Sequence, residues 1–226
     1  MADTATSEHH EAQHPESHTE SHTGVDTHHL GLKPGDHGWT ATGVTNEKLA
    51  MWVFLGSDCL LFGGLISTYL LYKNTAKPGS GPLPHELYDI PFTSVSSFVL
   101  LMSSLTMVLA LSAIQRGDHR RLRVWLVTTA LLGATFISGQ VYEFTTFVRE
   151  GMAYTTNTAS SAFFTLTGFH GVHVSIGIVM LMSLFVMSIR GRLPTERHET
   201  VEIIGLYWHF VDVVWILIFT VVYLIK

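Results

Sequence analysis

Apolar residues along this chain gather into five runs, at about 49–72, 93–115, 122–148, 158–189 and 200–225, with polar or charged residues breaking the pattern between them. Each run is long enough to cross the ~30 Å hydrocarbon core of a bilayer, which takes ~20 helical residues. The breaks carry stop signals. The stretch Lys77 to Pro84 is rich in proline and glycine, and Arg116-Gly-Asp-His-Arg-Arg-Leu-Arg123 forms a tight basic turn. Arg149-Glu-Gly151 and Arg190-Gly-Arg-Leu-Pro194 close the third and fourth runs. The pattern predicts an all-α integral membrane protein, a bundle of five transmembrane helices with short connections between antiparallel neighbours.

Residues 1–46 read differently. They hold eight of the fourteen histidines among Glu, Ser, Thr and Gly, too few apolar groups to offset the entropy of ordering. A disordered His/Glu-rich tail is expected there, followed by one transmembrane domain over 47–226. Such a tract has some capacity for Zn, Cu or Ni, but a solvated tail is the plainer expectation. No cleavable signal peptide is expected, because the first residues are acidic and polar.

Composition agrees with the spans. The chain is 47% hydrophobic and only 14% charged, against about a quarter charged in a soluble domain. Its net charge of -5 comes from the acidic tail, and nucleic acid is not an expected partner. The single cysteine, Cys59, excludes an intrachain disulfide and is expected to be a small buried hydrophobe. Nine Lys and Arg fall on the side of the tail, the 116–123 turn and the 190–199 turn, and four on the other. The positive-inside rule then places the N-terminus in the cytoplasm and the C-terminus outside.

Six ionisable residues interrupt the apolar runs: Asp58, Glu143, His170, His173, His209 and Asp212. A charged group at the centre of a membrane helix costs ~2.5–3.5 kcal/mol on the insertion scale, so each should turn toward protein. On the last run, Trp208, Asp212 and Trp215 share one helical face, and His209 and Asp212 lie three apart. Counting inward, Asp58, His209 and Asp212 can meet in the inner half of the membrane, and His170 and His173 reach the middle. Glu143 sits near the outer end of its helix, next to Tyr142. Small residues (Gly56, Gly63, Gly64, Ser103, Ser104, Gly133, Gly168, Gly171, Gly177) are expected where helix backbones meet.

Four uses of these groups remain open at this point. A metal or haem site is suggested by His170-x-x-His173, although no Glu-x-x-His pair supports it. A proton or ion pathway would use the same acids, but without an internal repeat or broken helices. Headgroup recognition would use basic and indole groups near the interfaces. The fourth use is structural, the polar groups bonding one another and holding the bundle in register.

Three segments carry a resemblance. Met51-Trp-Val-Phe-Leu-Gly-Ser-Asp-Cys-Leu-Leu-Phe62, Ser161-Ala-Phe-Phe-Thr-Leu-Thr-Gly-Phe-His-Gly-Val-His173 and Tyr207-Trp-His-Phe-Val-Asp-Val-Val-Trp215 resemble subunit III of the haem–copper terminal oxidases. The likeness covers about residues 47–225 and is closest to the five-helix bacterial form. It implies a bacterial plasma-membrane subunit with no redox centre or metal of its own, the haems and copper lying on partner subunits. It implies direct packing on subunit I, association with subunit II and subunit IV, structural phospholipids held in a cleft, and support of proton uptake. The resemblance implies that the cleft and uptake residues are Asp58, Trp52, Trp208, His209 and Asp212, with Glu143, His170 and His173 in the wider polar network. A hydrogen-bonded network of Asp58, His209 and Asp212 is the specific expectation. Aspartate at position 58, where many cytochrome c oxidases carry glutamate, is familiar from bo-type quinol oxidases, as is a His-rich tail. Both donors therefore stay open, and a free-standing ion or proton transporter is the alternative of another class.

Overall fold

The computed structural model describes residues 45–73, 89–193 and 198–225. The tail of residues 1–44, the Lys77–Pro84 loop and the Pro194–Arg197 part of the last turn lie outside the described residues. The described part is helical: α1 (Asn46–Tyr72), α2 (Ile90–Gln115), α3 (His119–Arg149), α4 (Thr158–Ile189) and α5 (His198–Phe219), the last running on into a π-helical turn at Thr220–Leu224. All five are long and apolar enough to cross a membrane. The boundaries expected from hydropathy agree to within a few residues.

Local chemistry explains where the helices start and stop. The carboxylate of Asp89 accepts from the Phe92 N–H, that of Asp118 from Arg121 N–H, and the Asn157 carbonyl oxygen from Ser160 N–H. Each satisfies an amide that the first turn leaves without an intrahelical acceptor. Helix α2 ends with Gly117 at φ 74, where Gly117 N–H donates to Ile114 O and Asp118 N–H to Ala113 O. That pair of bonds needs a left-handed residue, which glycine adopts without Cβ strain. Helices α3 and α4 end in the same way at Gly151 and Gly191. The Arg-Gly and Glu-Gly breaks in the sequence are thus the helix stops.

Helices α2, α3, α4 and α5 close a four-helix ring in which each packs on the next and α5 packs back on α2. Helix α1 stands outside the ring in the groove of α4 and α5. It runs parallel to α5 and is tied to it at both ends. Lys48 Nζ lies 3.0 Å from Glu202 Oε2 at one end, and Lys73 Nζ donates to the Ile225 carbonyl at 3.4 Å at the other.

Hydrophobicity does not mark the inner face of these helices. On α2 the buried residues include Thr93, Ser96, Ser97, Ser103 and Thr106, while Val95, Phe98, Leu105 and Val108 are exposed. Lipid is as apolar as a protein core, so apolar residues can face outward and small polar ones turn in to bond one another. For that reason the expectation for Cys59 is overturned: it is exposed on α1. Tyr69, near the end of the same helix, is buried.

The expectation for small residues divides. A Cβ at Gly133 would come within 2.6 Å of the Trp208 ring, and one at Gly177 within 2.8 Å. These two glycines make the slot that the indole fills. Gly56, Gly63, Gly64 and Gly168 have nothing within 4 Å of a Cβ, so they do not mark contacts within this chain.

Candidate functional site: the intramembrane polar seam

Helix α5 is the axis of the polar interior. Its buried Trp208 donates from Nε1 to Ser103 Oγ at 2.9 Å, and Trp215 donates to Ser97 Oγ at 2.8 Å. Beside the Trp208 rung, His209 Nδ1 shares a hydrogen bond with Ser104 Oγ. Seven residues up α5 match six down α2, the register of two antiparallel helices. Each indole N–H that would otherwise face hydrocarbon is satisfied by a serine hydroxyl, the geometry expected where no water reaches.

Asp212 is 2% exposed, and neither carboxylate oxygen has a hydrogen-bond partner among the described residues. Ser104, its neighbour on α2, is already engaged with His209. Trp208, Asp212 and Trp215 do occupy one buried face, as their spacing predicted.

Asp58 belongs to a different contact from the one expected. Its Oδ2 lies 3.6 Å from His173 Nε2 across the seam between α1 and α4. Among the described residues, no hydrogen bond or ion pair joins it to His209 or Asp212, so the expected three-residue network is not formed. The reason is rotational: His209 faces α2, whereas α1 lies against the other side of α5, where Phe54 stacks on Tyr207.

His173 Nδ1 bonds the Phe169 carbonyl at 2.8 Å. A carbonyl oxygen only accepts, so Nδ1 carries a proton. A neutral ring then meets Asp58 with its bare Nε2. At 3.6 Å the contact is longer than a hydrogen bond, and Asp58 Oδ2 has no hydrogen-bond partner among the described residues. Tyr207, donating to the His173 carbonyl at 3.0 Å, ties the same point to α5.

His170 points into the ring of helices. It is 1% exposed, stacks on Trp215 at 4.9 Å between centroids, and meets the edges of Phe136 and Phe62. Neither ring nitrogen has a partner among the described residues. With aromatic rings around it, its nitrogens do not present an open ligand position. The described residues contain no group of three or more His, Cys, Asp or Glu side chains placed to hold a metal ion.

At the end of the bundle near Asp89, buried Glu143 accepts from Thr93 Oγ1 at 2.9 Å and from Tyr223 OH at 3.1 Å. Gln140 Nε2 approaches its other oxygen at 3.4 Å. This cluster joins α2, α3 and the π-helical end of α5. Trp52 stands apart from all of these groups, 58% exposed on α1.

Sequence reading missed the partners Ser97, Ser104, Thr93 and Tyr223 and the rings around His170. The hydroxyl signal was present, since Thr93, Ser96, Ser97, Ser103 and Thr106 interrupt the apolar run of α2 and all lie on its buried face.

Two hollows on the surface of the described residues lie apart from this interior. A groove of about 500 Å³ between α3 and α4 is lined by Ile137, Phe144, Gly168 and Gly171, with Gln140 at its floor. A second hollow, of about 620 Å³, lies at the α2–α3 turn.

Comparison with known proteins gives a consistent family. The model of the family described as cytochrome c oxidase subunit III matches residues 26–226. A cytochrome c oxidase subunit 3 of Bacillus sp. (strain PS3) is 40% identical over 179 residues, 79% of this chain and 86% of that protein. A quinol oxidase subunit 3 of Bacillus subtilis (strain 168) is 39% identical over 176 residues, 78% of this chain and 85% of its own length. A cytochrome bo(3) ubiquinol oxidase subunit 3 of Pseudomonas aeruginosa is 35% identical over 201 residues, 88% of this chain and 93% of that protein.

Proposed function

The chain belongs to the cytochrome c oxidase subunit III family of the haem–copper oxidases, and on that premise we propose that it is the non-redox subunit of a proton-pumping terminal oxidase that reduces oxygen to water. Its role is to stabilise subunit I, hold phospholipid and support proton uptake, with no bond made or broken on its own residues. The haems and copper belong to partner subunits, subunit II and a fourth subunit complete the complex, and the setting is the bacterial plasma membrane with the N-terminus cytoplasmic.

One observation carries this reading. Polar side chains within the spans pair across helices, as in the Ser97–Trp215, Ser103–Trp208, Thr93–Glu143 and Asp58–His173 contacts. Such groups orient helices. A relay for a free-standing transporter needs them strung across the membrane, and the membership in an oxidase-subunit family speaks against that alternative.

The donor has a second reading with its own support. Relatives named for cytochrome c oxidase and for cytochrome bo(3) ubiquinol oxidase match at 40% and 35% identity, so a bo-type ubiquinol oxidase is retained beside the cytochrome c enzyme. Affinity purification from mild detergent tests the assignment. A haem-bearing partner with an oxygen-reducing activity is expected to co-purify, and the isolated chain is expected to show no Soret band. A Soret band on the chain alone, or a chain that purifies without any haem protein, overturns it. Reduced cytochrome c and quinol offered to the purified complex decide the donor.

A further inference from the structure

The turn between α2 and α3 carries four arginines in eight residues, Arg116, Arg120, Arg121 and Arg123. A tight glycine stop and an Asp118 cap hold it in place. Two of the four are engaged. Arg121 Nε lies 3.1 Å from Asp118 Oδ2, and Arg123 Nε donates to the His119 carbonyl. Arg116 and Arg120 are exposed, and neither side chain has a hydrogen-bond or ion-pair partner among the described residues.

The hollow beside them, about 620 Å³, has walls of two kinds. Arg116, Arg120 and Arg121 line its mouth together with Asp118, whose carboxylate is paired with Arg121, and Leu109, Val124 and Trp125 line the part that runs in between the helices. Trp125 lies six residues into α3 and Leu109 six before the end of α2, each about 9 Å along the helix axis. That depth covers the headgroup layer and the first part of the hydrocarbon. A guanidinium matches the oxygens of a phosphate in two-point contact, and an indole favours the same interfacial zone.

We propose that this hollow binds the phosphodiester headgroup of an anionic phospholipid, with Arg116 and Arg120 on the phosphate and Leu109, Val124 and Trp125 against the first methylenes of the acyl chain. The site gives a place and a lipid class to the phospholipid binding proposed above. It requires only a membrane-spanning chain, so its failure leaves the oxidase assignment untouched.

The test uses the full chain, in whatever complex it purifies with, reconstituted into nanodiscs of phosphatidylcholine doped with phosphatidylglycerol. Phosphatidylglycerol brominated on its acyl chains is expected to quench the fluorescence component that Trp125→Phe removes, and brominated phosphatidylcholine at the same fraction to leave it. The double variant Arg116→Gln/Arg120→Gln should weaken the apparent affinity for phosphatidylglycerol roughly tenfold or more at low salt. Arg116→Lys/Arg120→Lys should fall between, because the charge stays and the two-point geometry goes. Equal quenching by both lipids, or an unchanged affinity in the glutamine variant, overturns the proposal. Displacement of the lipid by millimolar inorganic phosphate overturns the lipid half and leaves a phosphate-ion site. The wild-type comparison of the two brominated lipids decides the matter even where the glutamine variant fails to insert.

Discussion

Asp58 and His173 face each other at 3.6 Å across the seam between α1 and α4. It is one of several contacts that seat α1 against α4 and α5. The ring of α2 to α5 closes without α1, which lies in an outer groove and leaves much of its surface exposed. What fixes its rotation is a small set of directional contacts: Asp58 on His173, Phe62 edge-on to the His173 ring at 5.0 Å, and the Lys48–Glu202 pair. The pair is a polar docking point between α1 and α4.

Replacing Asp58 by Asn keeps a group that can donate to His173 Nε2, and α1 should stay seated. Asp58→Ala removes it. In the assembled oxidase, Asp58→Ala is expected to leave the initial rate of oxygen reduction nearly intact and to shorten the active lifetime. An oxygen electrode followed through extended turnover checks this. Immediate loss of turnover in a normally assembled complex would count against a supporting role.

The Trp208 slot makes a sharper prediction. Gly133→Ala and Gly177→Ala each drive a methyl into the indole, and overpacking of a filled core costs about 1–3 kcal/mol. Both should lower the thermal unfolding temperature of the detergent-solubilised protein. Gly56→Ala and Gly63→Ala, which meet nothing within 4 Å, should leave it unchanged.

The serine–indole rungs should be individually modest. A double-mutant cycle on Ser97→Ala and Trp215→Phe is expected to give a coupling of about 0.6 kcal/mol, the average for hydrogen bonds between membrane helices. The single Trp215 change should cost more than the coupling, because the ring also packs on Phe136 and His170. A coupling near zero would mean that Ser97 finds another partner.

Glu143 supplies one oxygen to two hydroxyls. Glu143→Gln keeps an acceptor for Thr93 and Tyr223 and should be well tolerated. Glu143→Leu removes the shared acceptor inside a buried cluster, and a loss of about 1–3 kcal/mol is expected. Thermal unfolding of the two variants side by side measures the difference. Equal stability would show that the carboxyl is not the joint between α2 and the end of α5.

The fold was legible because hydropathy and helix punctuation are local. A run of ~20 apolar residues has one stable form in lipid, and the Gly117, Gly151 and Gly191 stops could be read as Arg-Gly and Glu-Gly breaks. The buried face of α5 was legible too, because Trp208, Asp212 and Trp215 follow the helical repeat whatever they pack on. Partnership was not legible in the same way. Asp58, His209 and Asp212 lie at compatible depths, and depth alone suggested one network. Whether they meet depends on the rotation of α1 and α5 about their axes, which apolar periodicity cannot report in a solvent as apolar as the core. Cys59 was misplaced for the same reason.

By itself, then, the sequence determined five membrane-spanning helices among the described residues, where those helices begin and end, and which residues must turn away from lipid. Only the tertiary structure decided what those residues turn toward: Asp58 to His173, His209 to Ser104, Trp208 into the slot of Gly133 and Gly177. The physical reason is that desolvation acts on each residue alone and is written in composition. Hydrogen bonds and close packing are pairwise, and they exist only once helices distant in sequence have taken up their relative rotation.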